Sequence, residues 1–378
     1  MKGNSVSVAV LAAVFVVGTF QLAAQSGAPE FGGVFSRSDA ALYVAAGEVD
    51  SGDFSWTAAS ALELALRAGG DSARAEAAFT ATVLNGSAAE AMIALATSMS
   101  LPSGSPFASG GALVVPLASD PASVLLLELR SLQLRLDLGE ARLRAGRQVV
   151  NFGRGQAFSP ADVFARRDLS GLSPARAPVD ALRLSGPFGQ FGGWDLVAAP
   201  RAEAEDGTYA ARAWAWAFGV DGGLIAGRDG GRGDWLAAAD VQFDLGATFR
   251  GEVLLRYSDS GDARVSAMAG LDWSLGDLLM GAEYYRNGDG AAGAVPLSGA
   301  PGAASEHYLF ATLGWQAGDF ASLSASALAE LDEGLWAPAL ALTVDATQSA
   351  DLVVALRGLA DSGGVVSAAL AATLELSF

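Results

Sequence analysis

Cysteine is absent from the 378 residues, which excludes disulfide staples, thiolate metal sites and a lipid-modified N-terminal cysteine, and leaves hydrogen bonding and closure to hold the fold. Histidine occurs once, at His307, and lysine once, at Lys2, so every other cation is an arginine. A single histidine beside Glu306 supplies no Cys/His metal set, and any Ser-His or Asp-His hydrolytic site would have to be built on it. An exposed strand histidine is the simpler reading; no enzyme activity, no metal and no cofactor are expected. Gly153-Arg154-Gly155 lacks the third glycine of a dinucleotide loop. The formal net charge of -18 argues against a nucleic-acid partner. Long apolar runs are scarce as well: residues 91–119 are uncharged, but Pro102, Pro106 and Pro116 break any helix there.

The N-terminus holds the one continuous apolar run. Lys2 precedes Val6 to Val17, and Gln21-Leu22-Ala23-Ala24-Gln25 follows with small residues at a plausible cleavage point. This is the pattern of a secretory signal peptide over residues 1–24, with an apolar core too short to span a bilayer. Residues 25–378 are then read as one unit. Hydrophobic residues make up 51% of the chain, yet no spanning helix is present. The remaining way to live in a bilayer is a closed barrel, in which backbone donors and acceptors are satisfied between strands. The expected fold class is all-β, a transmembrane antiparallel β-barrel of about 16 strands, in a range of roughly 14–18. A secreted all-β protein is the alternative.

Alternation supports the barrel. In the last stretch, Val366, Ala368, Leu370, Ala372, Leu374, Leu376 and Phe378 are apolar, with Ser367, Thr373, Glu375 and Ser377 between them. A period of two with one wholly apolar face is a strand between oil and water. From Phe54 onward similar segments recur, separated by Gly, Asp, Asn or Ser clusters. They place strands at, among others, 54–66, 141–152, 207–220 and 234–244, with 39–49 as a further candidate. Gly246, Gly276 and Gly318-Asp319 mark short turns, while 287–305 and 84–122 are long connections, the alternation an outer-membrane barrel requires. Trp56, Trp194, Trp235, Trp273, Tyr284, Tyr285, Trp315 and Trp336 fall near strand ends, as interfacial girdles do. Residues 88–101 have helical character, and whether the 84–122 loop lies inside or outside the barrel stays open.

The apolar alternation ending on Phe378 resembles the recognition strand of bacterial outer-membrane β-barrels. The resemblance implies the barrel-assembly machinery and outer-membrane lipid as partners, an outer-membrane location, and Leu374, Leu376 and Phe378 as an assembly signal.

The most distinctive block is 132–188. Leu132, Leu134, Leu136 and Leu138 form one face against Gln133, Arg135 and Asp137, and past the Gly139-Glu140 turn Leu143 and Ala145 oppose Arg142 and Arg144. Lipid does not tolerate these arginines, so the charged face looks inward. Arg147 falls on the wrong face unless Gly146 is a bulge that sends Arg147, Val149 and Asn151 to the lumen. Ten arginines against six acids lie between Glu128 and Arg183, a concentration that favours anions at close range. Gly146-Arg147-Gln148, then Asn151-Phe152-Gly153-Arg154-Gly155, Ser159-Pro160-Ala161-Asp162 and Arg167-Asp168 resemble porin-type outer-membrane proteins of spirochaetes and proteobacteria, with Phe152 where their tryptophan is usual. That resemblance implies an inward or rim loop, near 153–178, and a pore-forming role. The pore-lining or constriction candidates are Arg135, Arg142, Arg144, Arg147, Arg154, Asp162, Arg166, Arg167 and Asp168, with pairing among the loop charges as the structural alternative. The expected function is passive diffusion of small hydrophilic solutes with weak anion preference. A selective transporter of hydrophobic solutes and a structural or adhesive surface protein are the alternatives, the latter touched by Arg232-Gly233-Asp234. Oligomeric state is left open.

Overall fold

The computed structural model describes residues 30–45, 55–85, 114–120, 123–164, 176, 178–289, 305–332, 334–347, 350–361 and 364–377. The expected signal peptide, the helical segment at 88–101, Arg166, Arg167, Asp168 and Phe378 lie outside the described residues. The first strands are β1 (Glu30–Ala45), β2 (Ser55–Gly69), β3 (Ala73–Asn85), β4 (Val114–Asp120), β5 (Ser123–Leu138) and β6 (Ala141–Gln148). Next come β7 (Val179–Pro187), β8 (Gly192–Ala199), β9 (Thr208–Ala217), β10 (Val220–Asp229), β11 (Asp234–Asp244), β12 (Thr248–Ser258) and β13 (Ala263–Leu275). The last are β14 (Leu278–Arg286), β15 (His307–Gln316), β16 (Ala321–Glu330), β17 (Leu335–Thr347), β18 (Ala350–Asp361) and β19 (Gly364–Ser377).

All pairings are antiparallel and, apart from the pairing of β1 with β19, join neighbours in sequence, except that β3 pairs with β5 while β4 flanks only the first residues of β5. β1 pairs with both β2 and β19, from Val34↔Ser377 to Ala45↔Ser367, so the sheet returns on itself. Of the 19 strands, all but β4 form this circuit, leaving eighteen around the barrel. The count lies at the top of the expected range and above the central figure of sixteen. The two additions are β1, placed at 30–45 and not 39–49, and β10. Gly222, Gly223 and Gly227 make β10 read as a turn, since glycine weakens an isolated strand. Pairing on both edges, with β9 and with β11, holds it extended.

Burial separates the two faces. Along β12, Arg250, Glu252, Leu254 and Arg256 are buried, whereas Val253, Leu255 and Tyr257 are exposed. The inversion continues round the ring: Trp235, Leu271, Trp273, Leu309, Leu313, Leu340, Leu356 and Leu370 are large, apolar and open on the outside. A soluble barrel would bury these. A bilayer supplies the missing solvent, and the charged side chains line the interior, as the alternation predicts.

Connections at one rim are short. Residues 139–140, 218–219, 245–247 and 276–277 close hairpins, and Gly219 and Gly276 adopt φ of 78° and 60°, which the turns require and other residues resist. The longer connections, including 149–178 and 287–306, leave from the opposite rim. Outward aromatics mark both levels: Trp194, Trp273 and Trp315 toward the short turns, Trp235, Tyr257, Tyr284 and Trp336 toward the long loops. Tyr285 departs from expectation. It faces inward, opposite Tyr308, because it follows Tyr284 directly and adjacent strand residues point to opposite faces.

Candidate functional site

The strand expected to run to residue 152 ends at Gln148, and the chain then turns into the barrel. Gly146 takes φ of 119°, but the ladder stays in register across it, Gln133↔Gly146 following Leu134↔Ala145 without a slip. The expected bulge is therefore a local twist. Arg147 and Gln148 are both buried, while Val149 is exposed and Val150 enters an apolar cluster with Phe152, Ala161, Val197 and Ile225.

Residues 153–161 dock on the inner wall of β10–β14 through two glutamates. Glu252 of β12 accepts the backbone N–H groups of Arg154, Gly155 (2.8 Å) and Ala161 (2.9 Å), and the Ser159 hydroxyl (3.0 Å). Glu283 of β14 accepts those of Gln156, Ala157 (2.8 Å) and Phe158 (3.1 Å). Successive amides converging on one carboxylate make an anion nest; here the anion belongs to the barrel itself. Arg250 ties the arrangement together, donating to Arg154 O at 3.1 Å and pairing with Glu283 at 3.0 Å and Asp272 at 2.8 Å. The phenyl ring of Phe158 stacks on Tyr285 at 4.9 Å between centroids.

Side chains complete the dock. Arg154 forms a two-pronged pair with Asp221, at 2.9 and 2.8 Å, and a further pair with Asp240. Burial weakens its cation, but the hydrogen bonds it donates to Asp221 and Asp240 outweigh this and hold its pKa above the ordinary value. Asp240 also receives Arg212 at 3.0 Å. Asp162 pairs with Arg176 at 3.2 Å, and Arg147 with Asp180 at 3.4 Å. Arg154 and Arg147 thus find partners on barrel strands, while Asp162 finds one within the 149–178 connection itself; Arg167 and Asp168, also in the structural alternative, lie outside the described residues.

The remaining candidates stand on another part of the wall. Register places Arg74, Arg135, Arg144 and Arg183 directly opposite one another on β3, β5, β6 and β7, each about 5 Å from the next. Arg135 is paired with Asp137 at 2.8 Å and Arg183 with Asp195 at 2.7 Å. Among the described residues Arg74 and Arg144 have no ion-pair partner. Arg142, one row nearer the short turns, is neutralised by Asp137 at 2.7 Å. Like charges in direct cross-strand positions oppose folding, so this row is a cost that packing does not require.

Leu374 and Leu376 occupy the closing strand, Leu374 between Ser38 and Leu352 and Leu376 between Phe35 and Ala350. His307 lies at the long-loop rim, its Nδ1 2.6 Å from the Tyr284 hydroxyl and its backbone N–H donating to Asp332. Arg232 and Asp234 of the adhesion-like tripeptide are consumed by ion pairs, with Asp289 at 2.9 Å and Arg264 at 2.7 Å. Among the described residues no cluster of three or more His, Cys, Asp or Glu suits a metal ion.

Sequence reasoning missed Glu252, Glu283, Arg250, Asp240 and Asp221. Alternation carried the signal, since Arg250, Glu252 and Arg256 sit at every second position between Phe249, Val253, Leu255 and Tyr257. What it lacked was the loop they receive.

A closed sheet, apolar outside and charged inside, with a segment folded into its lumen, defines a porin-type β-barrel. No family model matches the chain and no curated protein matches it. Solved structures do. Pseudomonas aeruginosa OccK9 (OpdG) aligns with a TM-score of 0.61 at 10% identity, covering 93% of this chain and 98% of that one. For Pseudomonas aeruginosa OpdL the figures are 0.59, 11%, 93% and 98%, and for Acinetobacter baumannii OccAB4 0.58, 10%, 94% and 99%. At these identities the likeness is one of fold.

Proposed function

We propose that this protein is an outer-membrane channel for passive diffusion of small hydrophilic solutes, weakly anion-preferring, with the docked segment as its constriction. The signal-peptide pattern and the lipid-facing exterior support export and an outer-membrane location, and the fold shared with the Occ and Opd structures supports a channel. The observation that carries the reading is the row Arg74, Arg135, Arg144 and Arg183. Acids on the facing wall of β10–β14 are already engaged by Arg154, Arg212, Arg250 and loop amides, so they do not compensate this row. The net charge of -18 points the other way, but charges more than about 10 Å from the ion are screened at ordinary salt. Close-range arginines win.

Purified protein in planar bilayers tests this. Replacing Arg142 and Arg144 by alanine should move the reversal potential in a salt gradient toward cations, with most of the shift from Arg144, because Arg142 is neutralised by Asp137. A barrel that never conducts would favour a structural surface protein, and a strongly cation-selective wild type would make the arginines folding partners only.

A further inference from the structure

Inward positions of β9 run Ala210, Arg212, Trp214, Trp216 from the docked segment toward the short-turn rim. Ala210 is covered and Arg212 partly so, but Trp214 and Trp216 keep 36% and 49% of their surface open. Outward indoles are explained by the membrane interface; inward ones facing water are not. The sheet is shaped to seat them. Trp214 stands between Gly193 of β8 and Gly223 of β10, and a Cβ on Gly193 would lie 2.7 Å from Cζ2 of Trp214, so the indole rests on bare backbone. Phe191, 58% exposed, adds a third ring 5.5 Å from that of Trp216, and its carbonyl accepts the Trp216 N–H at 2.7 Å. Charged groups beside the rings cancel in pairs: Arg212 with Asp240, Asp195 with Arg183, and Asp221, opposite Trp216, with Arg154.

We propose that Trp214, Trp216 and Phe191 form a stacking subsite for neutral pyranose sugars at the short-turn mouth, distinct from the arginine row and resting on the channel reading above. A pyranose offers a C–H face to an aromatic ring and hydroxyls round its edge, and the half-open Asp221 carboxylate accepts from such a hydroxyl while Arg154 keeps it compensated. An ionic solute finds no free counter-charge here; the nearest member of the arginine row, Arg183, stands two strands away across Val197 of β8, level with Ala210 and so about 13 Å further along the barrel than Trp214.

Saturation-transfer NMR on the detergent-solubilised full-length protein, with maltose as probe and sorbitol as open-chain control, reads the subsite without requiring conduction. Transfer to maltose ring protons but not to sorbitol is expected. It should fall about fivefold or more in the Trp214→Ala/Trp216→Ala protein, and Trp214→Phe should retain part of it. Heat-modifiable mobility and ion selectivity of the double variant should match wild type, which separates a lost subsite from a lost fold. Equal transfer to maltose and sorbitol, an undiminished signal in the double variant, or transfer to benzyl alcohol with none to maltose overturns the assignment. Maltose transfer in a protein that does not conduct would keep the subsite and defeat the channel.

Discussion

Glu283 is 1% exposed and Glu252 4%; each gives its carboxylate to the amides of the entering segment, and Glu283 also pairs with Arg250 at 3.0 Å. Removing one partner of a buried charged contact strands the others, at a cost of about 3–5 kcal/mol. Glu283→Ala should therefore release residues 153–161 to limited proteolysis and lower the urea midpoint in detergent, with Glu283→Gln milder because an amide oxygen still accepts. The glycines of the segment discriminate further. A Cβ on Gly155 would fall 1.6 Å from the Phe158 carbonyl oxygen, and one on Gly153 1.5 Å from the Ser159 hydroxyl. Backbone cannot yield as a side chain does, so Gly155→Ala should expose the segment to protease more than Gly153→Ala.

Strands carry the interaction with the membrane. Leu340 is 45% exposed at the centre of β17 and Trp336 45% exposed near its long-loop end. Arginine on the lipid face costs about 2–4 kcal/mol at the bilayer midplane and about 0–1 kcal/mol near the interfaces. Leu340→Arg should thus destabilise the folded barrel in liposomes markedly, and Trp336→Arg little, by equilibrium urea unfolding. β19 has a second task. It hydrogen-bonds to β1 and β18 at once, and without it two open edges remain. We propose that Leu374, Leu376 and Phe378 hand this strand to the assembly machinery: deletion of Phe378 should lower surface abundance, and unchanged abundance with unchanged heat-modifiable mobility would make the strand ordinary.

Across the whole molecule, the separation of inner and outer surfaces sets how selectivity responds to salt. Screening lengths fall from about 10 Å at 0.1 M to about 3 Å at 1 M. If the arginine row sets the preference, the anion bias should be largest in dilute salt and shrink toward neutrality at 1 M, while single-channel conductance rises. A bias constant over that range would place the selective charges in direct contact with the permeating ion.

Sequence alone determined the class of this fold, because alternation is a local property: a strand lying between lipid and water must repeat every two residues, and the face carrying Leu370 and Leu374, or that opposite Arg135 and Arg142, is legible without a neighbour. It also marked Arg144 and Arg154 as inward charges. It did not count β10, whose glycines argue for a turn until two partner strands are present to hold them. Nor did it find Glu252 and Glu283, which look like ordinary lumen acids until a segment about a hundred residues earlier in the chain brings its amides to them. Which arginine is balanced and which is not was likewise decided only by the tertiary structure. Ion pairing depends on cross-strand register, and register joins residues such as Arg74 and Arg135 that the sequence keeps far apart.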